Sequence, residues 1–284
     1  MYTVAQIKTL LKENSIRLTK RRGQNFLVSG RQIERMMGFY NTHKNDFVLE
    51  IGPGLGALTE PLAESCRRLI AVEFDKKFFL ILKDRFKDKT NVEIVSSDIL
   101  KYNMQAAAAE YNGKFNVIGN LPYNITSPII SYLINNRVLV DTAFLTMQKE
   151  VAQRLISPPG VKSYGSLSCY AQFYTKIDIL GFIPREAFYP VPEVESAVVK
   201  FSFLEKPSVD VKNEKLFFRI ISAIFTKRRK TIINSLKQLE LYGIDVEKTR
   251  KALLSSGIDL NVRGETLNLV QLAKLADNLE ARNI

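Results

Sequence analysis

Two patterns of apolar and polar positions follow one another along the chain. Up to about residue 205, short apolar runs bounded by polar or turn-forming residues are typical of buried strands. Such strands are predicted at 47–51, 69–72, 92–95, 115–118, 142–147, 173–183 and 197–203. Segments with helical spacing, such as 57–64, lie between several of these runs. Strands that alternate with helices predict an α/β fold with a Rossmann-like sheet.

The pattern becomes helical after a linker-like stretch at 204–213. Apolar residues then recur at helical spacing, Asp245 is predicted to cap a helix that Gly257 ends, and a last helix is predicted from about Glu265 to Leu279. We therefore expect a Rossmann-like domain at 1–205 and a small all-helical domain at 213–284. Residues 1–45 would form an amino-terminal arm of the first domain.

A glycine-rich turn follows the strand predicted at 47–51. Gly52, Gly54 and Gly56 alternate there before a helical stretch. Glycine lets the backbone approach a ligand closely, because it has no Cβ. A turn of this kind between strand and helix is typical of nucleotide binding in Rossmann-like units, although the spacing differs from the dinucleotide fingerprint.

Acidic residues end the next two predicted strands. Glu73 lies 21 positions after Gly52, where a carboxylate meets ribose hydroxyls in Rossmann-like units. Asp98 and Ile99 follow the third strand and are suited to bracket an adenine ring. Each acid alone is equally explained as a helix cap or a solvated side chain. The glycine turn, Glu73 and Asp98 place suitable groups at the ends of three successive predicted strands. Together they favour a cofactor that contains a nucleoside.

A loop-like stretch follows the fourth predicted strand and precedes a helix start predicted at Ser127 and Pro128. It consists of Asn120, Leu121, Pro122, Tyr123 and Asn124. An amide oxygen and a backbone carbonyl can accept hydrogen bonds from an amino group, and an aromatic ring can stack on a planar base. Taken alone, the stretch is explained at least as well by an ordinary turn, since Asn and Pro favour turns.

Composition narrows the class of function. Two cysteines and a single histidine make a disulfide framework or a zinc site a poor explanation, so no metal is expected. No apolar run approaches the length of a membrane span, and no secretory signal is predicted. A cytoplasmic location is expected, with an organellar one left open. The net charge of +12 favours a polyanionic partner. Nucleic acid is favoured over a membrane, because no basic amphipathic helix stands out.

Basic residues are concentrated in two clusters. The first contains Lys20, Arg21 and Arg22, and the second contains Lys227, Arg228, Arg229 and Lys230. Such clusters are commonly solvated faces. Together with the overall charge, they predict phosphate contacts with nucleic acid.

The motifs, in this order, resemble those of the rRNA adenine dimethyltransferases, and among them the KsgA type that acts on small-subunit rRNA. The resemblance rests on motifs at 24–27, 50–59, 73–75, 98, 120–124, 148–150, 164–167, 188–199, 228–231 and 234–236. Two positions depart from the family pattern. Gly264 stands where proline is usual, and Glu195 stands where aspartate is usual.

The resemblance implies S-adenosylmethionine as the methyl donor and an adenosine 6-amino group as the acceptor. By matching position, the cofactor-binding residues would be Gln24, Asn25, Leu27, Gly52, Gly54, Glu73, Asp98, Ile99 and Asn120. Asn120, Leu121, Pro122 and Tyr123 would form the catalytic site, with Tyr123 and Phe188 stacking on the target base. The expected partner is small-subunit rRNA within a ribosomal subunit or an assembly intermediate, and the expected state is a monomer without a membrane partner.

Three other functions remain open at this point. An Erm-type enzyme, which dimethylates large-subunit rRNA, shares most of the motifs. A non-catalytic ribosome assembly factor would keep the fold, although the intact stretch at 120–123 argues against lost activity. A small-molecule or DNA methyltransferase would share the acceptor motif, but the motifs at 228–236 favour rRNA.

Overall fold

A computed structural model describes residues 2–16, 18 and 24–281. Its helices are α1 (Val4–Glu13), α2 (Gly30–Tyr40), α3 (Thr59–Ser65), α4 (Lys76–Arg85), α5 (Met104–Tyr111), α6 (Thr126–Asn135), α7 (Lys149–Leu155), α8 (Ser166–Tyr174), α9 (Glu214–Thr226), α10 (Ile232–Leu236), α11 (Val246–Ser255) and α12 (Leu269–Glu280). Its strands are β1 (Phe26–Leu27), β2 (Phe47–Ile51), β3 (Arg68–Glu73), β4 (Val92–Ser96), β5 (Phe115–Asn120), β6 (Val140–Gln148), β7 (Thr175–Ile183), β8 (Phe188–Tyr189) and β9 (Ser196–Phe203).

The chain divides into two compact units. One comprises Met1–Ala152 with Ile177–Phe203, and the other comprises Gln153–Lys176 with Leu204–Ile284. The predicted division had placed residues 153–176 in the first domain. They group with the second unit because the rings of α8 pack on α9, where the Phe173 and Phe217 centroids are 5.0 Å apart.

The first unit is built on a seven-stranded sheet in the order β4-β3-β2-β5-β6-β9-β7. Strands β2 to β6 are mutually parallel, and β9 runs antiparallel to β6. The α/β fold with a Rossmann-like sheet is thus confirmed. The order reverses at β2, whose two neighbours are β3 and β5, and ligands of open α/β sheets bind beside such a switch point. The central strands are buried on both faces, as Val48 and Leu49 of β2 are.

The amino-terminal arm packs against the rest of the first unit through α1. Ile7 and Leu11 of this helix belong to an apolar cluster that also contains Phe26, Leu55 and Phe78. The Lys77 Nζ donates a hydrogen bond to the Ser15 carbonyl oxygen at 2.7 Å, just beyond the end of α1. An ammonium group at this end of a helix suits its exposed carbonyls.

Helix α6 begins two residues earlier than predicted. Its first residue is Thr126 and its N-cap is Ile125, which makes no side-chain capping bond. Ser127 and Pro128 therefore lie in the first turn, and the prediction of Ser127 as the cap was wrong. The Thr126 hydroxyl instead donates to the Pro122 carbonyl oxygen at 3.4 Å.

The second unit is helical. The apolar face of α9 is buried, and Asp245 caps α11 by accepting a hydrogen bond from the Lys248 amide at 2.7 Å, as predicted. The last helix begins at Leu269 rather than near Glu265, because the Asn268 side chain caps it. Nowhere in 2–16, 18 and 24–281 is there a helix with both the length and the apolarity to cross a membrane.

Gly264, which departs from the family pattern, fits closely against α9. A Cβ added at this position would lie 2.5 Å from the Ile224 Cγ2 atom. We expect Gly264→Ala to lower the free energy of unfolding by about 1–3 kcal/mol, the usual cost of overpacking. In an Ile224→Ala background the two closest contacts, with the Ile224 Cγ atoms, are removed, so the cost of Gly264→Ala should shrink. Urea unfolding of the four proteins measures both values, and an equal cost in both backgrounds would show that this contact is not the cause.

Candidate active site

A cavity of about 690 Å³ lies at the carboxyl ends of the parallel strands. It has the size of a typical small-ligand site. Its lining includes the predicted residues Gln24, Asn25, Leu27, Gly52, Gly54, Glu73, Asp98, Ile99, Asn120, Leu121, Pro122 and Tyr123. The structure therefore brings these residues together, although their roles toward a ligand stay predictions. Tyr2 and Ile7 of the arm also line this cavity.

The glycine turn and Glu73 hold each other in place. The Gly54 amide donates to one oxygen of Glu73 at 3.0 Å, and the Asp75 amide donates to the other at 2.8 Å. Gly52 and Gly54 have φ values of +65° and +60°, a region that favours glycine. Burial raises the pKa of Glu73 to about 7, although the two amide donors favour the carboxylate.

Glu50 is a second buried acid on the cavity wall. It is 2% exposed, and its Oε2 accepts a hydrogen bond from the Thr59 hydroxyl at 2.7 Å. Burial raises the pKa of Glu50 to about 8. This contact joins the end of β2 to the first residue of α3, on either side of the glycine turn. A carboxyl of this kind fixes the shape of the turn while carrying little charge at neutral pH.

Asp98 and Ile99 begin the turn after β4. The Asp98 Oδ1 caps this turn by accepting a hydrogen bond from the Leu100 amide at 3.0 Å. Ile99 is 5% exposed. The capping role, which was the alternative explanation from the sequence, is thus present, and the second carboxylate oxygen has further lone pairs to offer a ligand.

Asn120 is the last residue of β5, and its side chain is held in one orientation. Its Nδ2 donates to the Asn25 carbonyl oxygen at 3.0 Å. A carbonyl oxygen only accepts hydrogen bonds, so the amide nitrogen must face it. The side chain then has its Oδ1 to offer as an acceptor. The next residue is fixed as well, since the Leu121 amide donates to the Thr146 carbonyl oxygen at 3.0 Å.

Of the two predicted stacking rings, only Tyr123 lines the cavity. It is half-buried, and its hydroxyl is hydrogen-bonded to that of Ser196. Phe188 is 2% exposed and packs in an apolar cluster with Leu27 and Ile33. This burial does not support the prediction of Phe188 as an open stacking face. The reason is that β8 pairs with β1, which turns the Phe188 ring into the core.

Sequence reasoning missed Phe74 as part of the cavity wall. Its side chain is 68% exposed, although it is large and apolar. An exposed phenylalanine in a cavity is a candidate contact for a flat ligand group. Its position directly after Glu73 was the signal available in the sequence.

The basic cluster at 227–230 contains residues of two kinds. Lys227, Arg229 and Lys230 are exposed. Arg228 is instead engaged within the second unit, because its guanidinium is paired with the Glu265 carboxylate and donates to the Lys162 carbonyl oxygen at 2.8 Å. Its predicted role in phosphate binding is therefore not supported by this geometry.

The first basic cluster falls outside the described residues. Lys20, Arg21 and Arg22 belong to the part of the chain for which no structure is described. Their predicted contact with RNA stays a prediction.

The sheet, with its cavity at the strand ends, defines the class of fold, a Rossmann-like α/β fold, and two solved structures share it. A dimethyladenosine transferase from Plasmodium falciparum is 23% identical with a TM-score of 0.74, over 91% of this chain and 98% of that one. The 23S rRNA methyltransferase ErmE is 24% identical with a TM-score of 0.66, over 90% of this chain and 100% of that one.

The particular family follows from the sequence comparison. The family model described as ribosomal RNA adenine dimethylase matches residues 16–280, and the chain belongs to this family. A ribosomal RNA small subunit methyltransferase A from Anoxybacillus flavithermus is 39% identical over 98% of this chain and 95% of its own length. The protein of the same name from Geobacter metallireducens is 41% identical over 94% of this chain and 97% of its own length. The chain is thus an rRNA adenine methyltransferase.

Proposed function

We propose that this enzyme uses S-adenosylmethionine to dimethylate the 6-amino group of adenosines in small-subunit rRNA. The relatives at 39% and 41% identity carry the name of small-subunit enzymes along nearly their whole length, which supports this substrate over the large-subunit alternative. In the proposal, the targets are two adjacent adenosines near the 3′ end of that RNA. The enzyme acts as a monomer in the cytoplasm, on a ribosomal subunit or an assembly intermediate during ribosome biogenesis.

The orientation of Asn120 is the observation that carries the proposal. Because the Asn120 Nδ2 donates to the Asn25 carbonyl oxygen, the orientation of the amide is set, and its Oδ1 is left to accept a hydrogen bond from a substrate. An adenine 6-amino group has two hydrogens to donate. The Asn120 Oδ1 accepts one, and the Leu121 carbonyl oxygen accepts the other.

These two hydrogen bonds address the chemical difficulty of the reaction. The lone pair of an aromatic amino group is delocalised into the ring, so the amine is a weak nucleophile. Acceptors placed for both hydrogens favour a more tetrahedral nitrogen with its lone pair localised. The rate enhancement then comes from orientation and electrostatics. After methyl transfer, the amine loses its proton to solvent.

The cavity has groups that fit the nucleoside part of the proposed cofactor. The Glu73 carboxylate suits the ribose hydroxyls, Asp98 suits the adenine amine, and Ile99 and Phe74 supply apolar contacts to a ring. A Cβ at Gly52 would meet no protein atom within 4 Å, so the backbone borders open space there. When bound, S-adenosylmethionine supplies the electrophilic methyl group.

The raised pKa of Glu73 predicts a pH-dependent affinity for the cofactor. Ribose hydroxyls bond more strongly to a carboxylate than to a carboxylic acid, so binding favours the ionised form. Because the pKa of the free site is about 7, affinity should be level above pH 7 and fall up to about tenfold per unit below it. Calorimetry between pH 5.5 and pH 8.5 measures this affinity. The two ends of that range lie about a unit or more below and above the pKa.

Glu73→Gln is the control for that experiment. It has no titrating carboxyl, so its weaker affinity should change much less over the same pH range. If both proteins showed the same pH profile, the titrating group would lie elsewhere.

Nucleoside analysis tests the proposed reaction. Small subunits that lack the modification are incubated with the enzyme and labelled S-adenosylmethionine, and the rRNA is digested to nucleosides. We expect the label in N6,N6-dimethyladenosine. Label in any other nucleoside would overturn it.

A further inference from the structure

Tyr123 is tied to a strand that lies far from it in sequence. Its hydroxyl and that of Ser196 are 2.7 Å apart, a short hydrogen bond in which either group can donate. Ser196 is fully buried and is the first residue of β9. The bond therefore connects the loop after β5 to the sheet itself.

The position of Ser196 is set by the sheet and not by the loop. Ser196 pairs with Gln148 in the antiparallel ladder between β9 and β6. Just outside this pair, the Lys149 amide donates to the Glu195 carbonyl oxygen at 3.0 Å, and the Lys149 Nζ donates to the Glu195 carboxylate at 2.8 Å. Glu195, which replaces the usual aspartate, thus closes the end of the ladder next to Ser196.

In this arrangement the Tyr123 hydroxyl is already hydrogen-bonded before a substrate binds. A half-buried tyrosine whose hydroxyl is bonded at a fixed point keeps the long axis of its ring in one direction, because a change of χ1 would move the oxygen and break that bond. The substrate then meets the face of the ring. A ring ordered in advance avoids the entropy cost of ordering it during binding.

We propose that Ser196 is a positioning residue, whose hydroxyl holds the Tyr123 ring in the orientation that stacks on the target adenine and thereby favours the second methyl transfer. The inference rests on the proposed function of the site. In the first transfer, two amino hydrogens bond to the protein and fix the base. After it, the amine has one hydrogen left, so one of these bonds is lost and stacking on Tyr123 supplies a larger share of the orientation.

The test compares wild type, Ser196→Ala, Tyr123→Phe and the double variant on undermethylated small subunits, with separate quantification of monomethyl- and dimethyladenosine. Loss of one neutral hydrogen bond should lower kcat/KM about 3- to 10-fold in each single variant. The ratio of monomethyl to dimethyl product should rise by a similar factor. The double variant should be no worse than either single one, because all three lack the same bond.

Ser65→Ala is the matched control. It also removes a hydroxyl–hydroxyl hydrogen bond of 2.7 Å within the first unit, with Thr42, and neither residue lines the cavity. Its product ratio should equal that of wild type. Thermal unfolding and cofactor affinity, measured for all variants, show whether a change in rate reflects loss of fold.

The outcomes separate this inference from the proposed function. Dimethyladenosine made by the wild-type enzyme tests the function. If wild type makes it and Ser196→Ala keeps the wild-type product ratio, the positioning role is overturned while the function stands. Additive losses in the double variant would also overturn it, because the two hydroxyls would then act independently.

Discussion

Asn120→Ala is expected to reduce methyl transfer at least about 100-fold, the scale seen when one preorganised polar group is removed from a reacting centre. The variant lacks the Oδ1 acceptor for the amino group. It also leaves the Asn25 carbonyl oxygen without the donor that the Asn120 Nδ2 supplies at 3.0 Å. RNA affinity should change less than about twofold, since this residue contributes no phosphate contact. Single-turnover assays with saturating enzyme measure the chemical step directly.

Asn116→Ala provides the control for that substitution. Asn116 lies on the same strand and is half-buried, but it does not line the cavity. Its substitution should leave the single-turnover rate within about twofold of wild type. A near-normal rate in Asn120→Ala would contradict the assigned mechanism, and an equal loss in both variants would point to damage to β5 instead.

Replacing Lys227, Arg229 and Lys230 together by glutamine is expected to weaken RNA binding strongly at low salt. Each phosphate contact releases about one counterion, so removal of three should flatten the slope of log Kd against log salt by about 2 to 3. At 50 mM salt this corresponds to a loss of affinity of about 100-fold or more. Titration of small-subunit rRNA at several salt concentrations measures the slope.

Arg228→Gln is the contrasting variant within the same cluster. Arg228 pairs with Glu265 and donates to a carbonyl oxygen of the same unit, so its loss should cost about 1–3 kcal/mol of unfolding free energy. The salt slope of this variant should match that of wild type. A flattened slope in Arg228→Gln, or an unchanged slope in the triple variant, would show that the cluster contacts RNA differently from this account.

The sheet and most of the cavity lining could be predicted from the sequence, because both depend on local patterns. Buried parallel strands appear as continuous apolar runs, and the carboxyl ends of parallel strands share one edge of the sheet. Gly52, Glu73, Asp98 and Asn120 each end or follow such a run, so their meeting in one cavity followed from the topology.

What the sequence could not show depends on contacts between distant segments. Phe188 looked like an exposed loop aromatic, but pairing of β8 with β1 buries it. In the sequence, Arg228 cannot be distinguished from its three basic neighbours, because its pairing with Glu265 is visible only in the structure. The hydrogen bond from Tyr123 to Ser196 spans 73 positions, and no spacing rule in a single sequence predicts it.

The most direct test of the central claim compares two substrates for labelled methyl transfer from S-adenosylmethionine. One is undermethylated small ribosomal subunits, and the other is protein-free large-subunit rRNA. We expect dimethyladenosine in the small subunit and no label in the large-subunit RNA. Label in the large-subunit RNA alone would contradict the proposed substrate, and label in neither, with cofactor binding intact, would contradict the proposed activity.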